Sequence, residues 1–142
     1  PVNVRSLASA LGLLVEEVKA HEGPDYNEWM HVTAHANDSQ VSAGGAFFGG
    51  QPRIVRMDGR NVECVPEGVL LLLNNRDKPG MVGYIGSLLG RHEVNIASMS
   101  LNRDEAGGEA LTVLNLDSVP PEELLAEIRQ DDAIANVQVV RL

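Results

Sequence analysis

The stretch Val69–Ile96 reads VLLLLNNRDKPGMVGYIGSLLGRHEVNI. Val69 to Leu73 form an apolar run that ends at Asn74 and Asn75, the pattern of a buried strand running into a polar turn. Pro79-Gly80 then opens a helix over 79–89, with Met81, Val82, Tyr84, Ile85, Leu88 and Leu89 at helical spacing. Pro79 suits the first helical position, and Gly90 suits the C-terminal cap. A second strand follows from Val94. Asn75, Asp77 and Asn95 stand at the turn and at the start of that strand, where carbonyl, carboxylate and amide groups could hold a small zwitterion. The pattern points to sensing rather than to catalysis.

Working outward, strands are predicted over 94–102 and 109–116, a helix over 120–129 and a last strand over 134–140. Asp104 to Gly108 form the turn between the two middle strands. Pro120 and Pro121 open the second helix. Glu122 and Glu123 oppose its positive end, and Leu124, Leu125 and Ile128 point inward. Strand, helix, two strands, helix and strand make the split βαβ order of a ferredoxin-like fold.

Upstream, Val4 to Leu11 reads as a short helix stopped by Gly12, and Leu13 to Lys19 as extended. From Trp29 to His35 the residues alternate. Met30, Val32 and Ala34 take one side, and Trp29, His31, Thr33 and His35 the other, as in a half-buried strand. Gln40 to Phe48 reads as a strand ended by Gly49-Gly50. Pro52 to Val65 reads as a hairpin about Asp58-Gly59, a type I′ signal. That turn pairs Met57 with Arg60, Val55 with Val62 and Arg53 with Cys64. Val65-Pro66-Glu67-Gly68 punctuates the chain. The fold class is therefore α+β: a small β-rich domain over 1–66, then a ferredoxin-like βαββαβ domain over 67–142.

The 142 residues are 44% hydrophobic and 22% charged, an ordinary globular balance. A net charge of -9 makes nucleic acid and anionic membrane poor partners. No apolar run reaches the ~20 residues of a membrane span. Cys64 is the only cysteine, so a disulfide framework is absent and a cytoplasmic setting is expected. The chain starts at Pro1 without an initiator Met, as a piece of a longer protein would. Each half, at about 70 residues, is marginal as a lone core, and open sheet edges invite pairing between copies. Self-association is expected.

Several residue groups compete as sites. Gly80, Gly83 and Gly86 imitate a dinucleotide fingerprint but lack its G-x-G start, so close helix-on-sheet packing is the better reading. His31 and His35 would lie about 13 Å apart on a strand, at ~3.3 Å per residue, with no further ligands, so no metal site is expected. Cys64 reads as a small core residue, and no nucleophile stands in an elbow motif. Arg53, Arg56 and Arg60 form either an anion site or a solvated group in which Arg56 pairs diagonally with Glu63. Asn75, Asp77 and Asn95 are either turn and cap residues or a binding site. The residues alone leave both pairs of readings open.

N-x-D-K-P-G at 75–80, the glycine-rich helix and V-N-I-A at 94–97 resemble the ACT domain, an amino-acid-sensing module. V-S-A-G-G-A-F-F-G-G at 41–50, P-R-I-V-R-M-D-G at 52–59 and V-P-E-G at 65–68 extend the resemblance. Together with P-V-N-V at the start, they are similar to the regulatory half of long-form D-3-phosphoglycerate dehydrogenases, an intervening (allosteric substrate-binding) domain followed by ACT. The resemblance implies feedback inhibition by L-serine, or another small amino acid, held between the ACT domains of two subunits. Asn75, Asp77 and Asn95 would be contacts, with Gly80 and Met81 at the helix start. It implies that NAD binds in catalytic domains outside this stretch, with no cofactor or catalytic residue here. Arg53 matches a basic position of the intervening domain, while Val65 and Asn115 stand where further basic residues would complete an anion site. A regulatory part of an iron-sulfur L-serine dehydratase, or a dimerisation module without ligand, are the alternatives.

Overall fold

The computed structural model describes residues 3–18 and 28–142. A short helix, α1 (Val4–Ala10), is followed by four strands: β1 (Trp29–Ala36), β2 (Ser39–Phe48), β3 (Gln51–Met57) and β4 (Arg60–Cys64). Then come β5 (Val69–Arg76), α2 (Met81–Arg91), β6 (Ile96–Arg103), β7 (Glu109–Leu116), α3 (Glu122–Arg129) and β8 (Ile134–Arg141). The first four strands make one antiparallel sheet in chain order. The last four make a second, ordered β6-β7-β5-β8. This is the α+β architecture expected, with a ferredoxin-like second sheet. Residues 13–18 form no helix or strand, and Lys19 lies outside the described residues.

β5 organises the second sheet. It pairs with β7 on one side and β8 on the other, and its side chains alternate between two cores. Leu71 and Leu73 join Met81, Ile85, Leu88 and Leu89 of α2 and Leu124, Leu125 and Ile128 of α3. Leu70 joins Leu111 and Val113 of β7 and meets Met57, Val62 and Cys64 of the first sheet, with Ile54 and Leu72 at the margin. The continuous apolar run at 69–73 thus has a plain cause: both faces of the strand are covered. Each fully buried leucine contributes roughly 1.5–3 kcal/mol.

Polar groups fasten the two sheets to each other. Buried Asn115 donates to the carbonyls of Val65 (3.0 Å) and Glu67 (3.3 Å), and accepts from Ser98 Oγ (3.0 Å). The Glu63 amide donates to Ser100 Oγ at 3.1 Å. Asn115 at a strand position is therefore a structural fastener of the linker.

Several details depart from the sequence reading. β1 is exposed along its length except for the half-buried Trp29, where a half-buried strand is expected. It is an edge strand that packs chiefly on β2, so no element among the described residues covers either face. The hairpin turn has the expected left-handed Asp58 and Gly59 (φ 46° and 81°), but a register shift places Ile54, not Arg53, opposite Cys64. The shift still buries Val55, Met57, Val62 and Cys64. Burial pushes the Cys64 thiol up to about 11, consistent with an inert core residue.

Helix α2 also starts and stops later than expected. Gly80, not Pro79, sits at the boundary, as a left-handed N-cap with φ 88°. Gly90 lies inside the helix, and the left-handed residue past its end is Glu93, φ 55°. The amides of Glu93 and Val94 donate to the carbonyls of Gly90 (3.1 Å) and Leu89 (3.0 Å), which is the Schellman pattern. Val94 and Leu89 are both in the core, and burying Val94 fixes where the helix must end. Nor do the glycines of this helix give close packing. A Cβ at Gly83, Gly86 or Gly90 would meet nothing within 4 Å, because all three lie off the buried stripe.

The sign of one substitution separates the two placements of Gly90. As a helix-interior residue with open space around it, Gly90→Ala should stabilise the chain by about 0.5–1 kcal/mol. As a left-handed cap it would do the reverse. Urea unfolding of the two chains measures the difference.

Candidate functional site

The polar turn after β5 holds two of the candidate residues, Asp77 and Gly80. Arg76 donates its amide to the Ala133 carbonyl (2.8 Å), and Asp77 donates its own to the Gly108 carbonyl (2.8 Å). These bonds pin the turn between the end of β8's approach and the β6–β7 hairpin. Lys78 is drawn to Asp131 at 3.3 Å. Pro79 leads into Gly80, whose positive φ lets the chain enter α2 without a capping side chain. The Met81 amide reaches the Lys78 carbonyl (3.3 Å), while the amides of Val82 and Gly83 have no acceptor among the described residues. A helix start with free amides favours an anion.

Asp77, three residues before Gly80, turns one carboxylate oxygen to the β6–β7 hairpin. Its Oδ2 accepts from Arg103 Nη1 (2.8 Å) and from the Gly107 amide (3.2 Å). Oδ1 has no hydrogen bond among the described residues. The Arg103 guanidinium first, then the Gly107 amide, hold the carboxyl below the usual carboxylate range.

Asn75 lies elsewhere. It is 1% exposed and faces the helix-side core. Its Oδ1 accepts from Thr112 Oγ1 (2.9 Å) and its Nδ2 donates to the Arg76 carbonyl (3.0 Å). Asn75 therefore props the turn from beneath. Met81 is likewise buried, so its side chain faces the core and not the candidate site. Asn95 lies just before β6, exposed, with its Nδ2 on Asp117 Oδ2 (2.7 Å). Ile96 is level with Leu116, whereas Arg103 is level with Ala110, the partner of Asn75. Seven steps of strand, about 23 Å, separate the two ends. One chain thus brings Asp77 and Gly80 together but leaves Asn95 at the opposite end of the sheet.

The three arginines do not converge on one another. Arg60 crosses to the second sheet, bonding Asn74 Oδ1 (3.3 Å) and Asp104 (3.1 Å). Arg53 donates to the neighbouring Pro52 carbonyl (2.9 Å). Arg56 is exposed and makes no ion pair with Glu63; its stem closes over Gly44 beside the stacked Trp29 and His31 rings. A cleft of about 760 Å³ separates the sheets, with Val32, Val41, Leu70, Leu72 and Val140 on its walls and Arg60 at its rim. No group of three or more His, Cys, Asp or Glu among the described residues could hold a metal ion. No described helix is long and apolar enough to cross a membrane.

Arg103 and Thr112 escaped the sequence reading. Thr112 had a signal, a lone hydroxyl inside the apolar run of β7. Arg103 had none, because its partner lies 26 residues away across two turns.

The comparisons agree with this architecture. Residues 69–133, which hold β5 through α3, match the family model of the ACT domain. Across 99% of its length the chain is similar to proteins named D-3-phosphoglycerate dehydrogenase. It is 36% identical to the one from Methanocaldococcus jannaschii, 34% to that of Archaeoglobus fulgidus and 37% to that of Synechocystis sp.. The chain spans 27%, 27% and 26% of those relatives' lengths.

Two outcomes follow for the turn. Thr112→Val strands the buried Asn75 oxygen and should cost about 1–3 kcal/mol in chemical denaturation. For Asp77 the folded carboxyl titrates below its unfolded value, so its contribution to stability is full above roughly pH 4 and is lost as pH falls through the folded value. Asp77→Asn should therefore melt below the parent at pH 7, and the two melting temperatures should converge in acid. A gap that stays constant from pH 7 to pH 2 contradicts the ion-pair account.

Proposed function

We propose that this chain is the regulatory part of an NAD-dependent D-3-phosphoglycerate dehydrogenase, and that its ACT domain senses L-serine for feedback inhibition. The catalytic and NAD-binding domains of such an enzyme are then supplied outside these residues. The observation that carries the reading is the split of the site between the two ends of β6. β6 is a sheet edge. When two copies pair their β6 edges antiparallel, the start of one strand meets the end of the other. Asn95 of the partner subunit then stands beside Asp77, and neither copy holds a complete site alone.

The chemistry suits an amino acid. The free amides of Val82 and Gly83 take the carboxylate, as helix starts favour anions. Asp77 Oδ1 accepts from the ammonium. Asn95 of the partner subunit donates and accepts. Asn75 contributes by holding the turn through Thr112. Small apolar sheets with open edges support self-association through the ACT domains. The relatives named above favour the dehydrogenase over an iron-sulfur L-serine dehydratase. The alternative of a pairing module without ligand draws on one fact: Asp77, Asn75 and Asn95 all have protein partners already.

Titration calorimetry against a panel of amino acids separates these readings. L-serine should bind, and Asn95→Ala should weaken it about ten- to hundredfold, because a hydrogen bond to a charged group is worth roughly 1.5–3 kcal/mol. Sedimentation should show a dimer or larger species. With NAD and 3-phosphoglycerate the chain should give only background turnover. A folded Asn95→Ala chain that binds serine like the parent, or a monomer that binds it tightly, defeats the shared site. A parent that binds no amino acid favours the pairing module.

A further inference from the structure

We infer that Arg103 sets the affinity of the amino-acid site by competing with the ligand's ammonium for the Asp77 carboxylate; this rests on the amino-acid binding proposed above. Arg103 Nη1 lies 2.8 Å from Asp77 Oδ2, so the charge that attracts an ammonium is already half answered. Of the neighbouring cations, Lys78 is on Asp131 at 3.3 Å, Arg60 is on Asp104 at 3.1 Å, and Arg76 makes no ion pair with Asp77. Arg103 is thus the cation that screens Asp77. An ammonium arriving at Oδ1 meets a partly neutralised acceptor and a like charge beside it.

Arg103 is not needed to hold the acid in place. The Gly107 amide binds the same Oδ2 at 3.2 Å, and the Asp77 amide is fixed on the Gly108 carbonyl at 2.8 Å. Position and charge therefore have separate sources. Removing the guanidinium leaves the carboxylate where it is and takes away the cation that screens it. The pair is more than half exposed on the arginine side, so the change is modest. Arg103 acts through the charge of Asp77 and sets affinity without serving as a second receptor.

Arg103→Met keeps the length of the stem and the β6–β7 backbone pairing at Ala110. Calorimetry with L-serine should show binding about two- to fivefold tighter than in the parent, the size expected of an exposed ion pair. Ethanolamine, which carries the ammonium without a carboxylate, should gain at least as much. In an Asp77→Asn background, Arg103→Met should change neither ligand's affinity. Arg103→Lys, which keeps the charge, should bind like the parent. Unchanged affinity in a folded Arg103→Met chain overturns the inference and leaves amino-acid binding standing. Weaker serine binding with ethanolamine unaltered also overturns it, and makes Arg103 a receptor for the carboxylate. Binding of neither ligand by parent or variant removes the site itself and the inference with it. Binding by Arg103→Met where the parent shows none supports the competition in its strongest form.

Discussion

Everything in this chain depends on one strand having both faces buried. β5 gives Leu71 and Leu73 to the helices and Leu70 to the first sheet. A strand with one wet face gets its register from the hydrophobic pattern, since a slip of one residue would expose its apolar set. With leucine on both sides, that signal is lost. Register here must come from polar groups that tolerate only one neighbour. Asn75 on Thr112 fixes β5 against β7 on the helix side. Arg60 on Asn74 fixes the other face against the first sheet. A buried amide or hydroxyl without its partner costs more than the bond itself returns, so these few contacts discriminate strongly between registers.

The same logic explains the end of the strand. Asn74 and Asn75 are adjacent in sequence but serve opposite faces, one bonding across to Arg60 and the other inward to Thr112. Next in line, Asp77 leaves the sheet and grips the β6–β7 hairpin through Arg103 and Gly107. The turn is therefore held by structure before any ligand arrives. A preformed site of this kind costs less ordering on binding. Its acidic group, Asp77, is already paired with Arg103.

The order of elements was legible from residue patterns because it rests on long periodic segments: the apolar run at 69–73, the helical stripe from Met81 to Leu89 and the Asp58-Gly59 turn. The ends of elements were less so. Gly90 looked like a cap because glycine is the usual left-handed residue, yet the burial of Val94 moved the stop to Glu93. The alternation at 29–35 was real, since Trp29 and His31 stack on one side, but alternation says nothing about whether a covering layer exists. Of the candidate site, Asp77 and Gly80 could be read from the turn. The inward direction of Asn75 could not, because facing depends on which of two apolar sides each leucine takes. The distance from Asp77 to Asn95 was hidden too: neighbours across a helix in sequence end up at opposite ends of the sheet that the helix spans.

That separation has a mechanical consequence. β6 carries the two ends of the proposed site, and it is also the strand against which β4 of the first sheet rests, with the Glu63 amide on Ser100 Oγ at 3.1 Å. Pairing two β6 edges and seating the β-rich half therefore use one strand from different sides. A ligand held between the Asp77 turn of one copy and Asn95 of the partner subunit would bias how the two β6 strands lie. Any such bias reaches the first sheet through β4 and through the linker carbonyls that Asn115 holds. The ligand need not touch the β-rich half to move it. What it needs is a difference in affinity between two arrangements of the paired sheets, and the size of that difference sets the most the arrangement can shift.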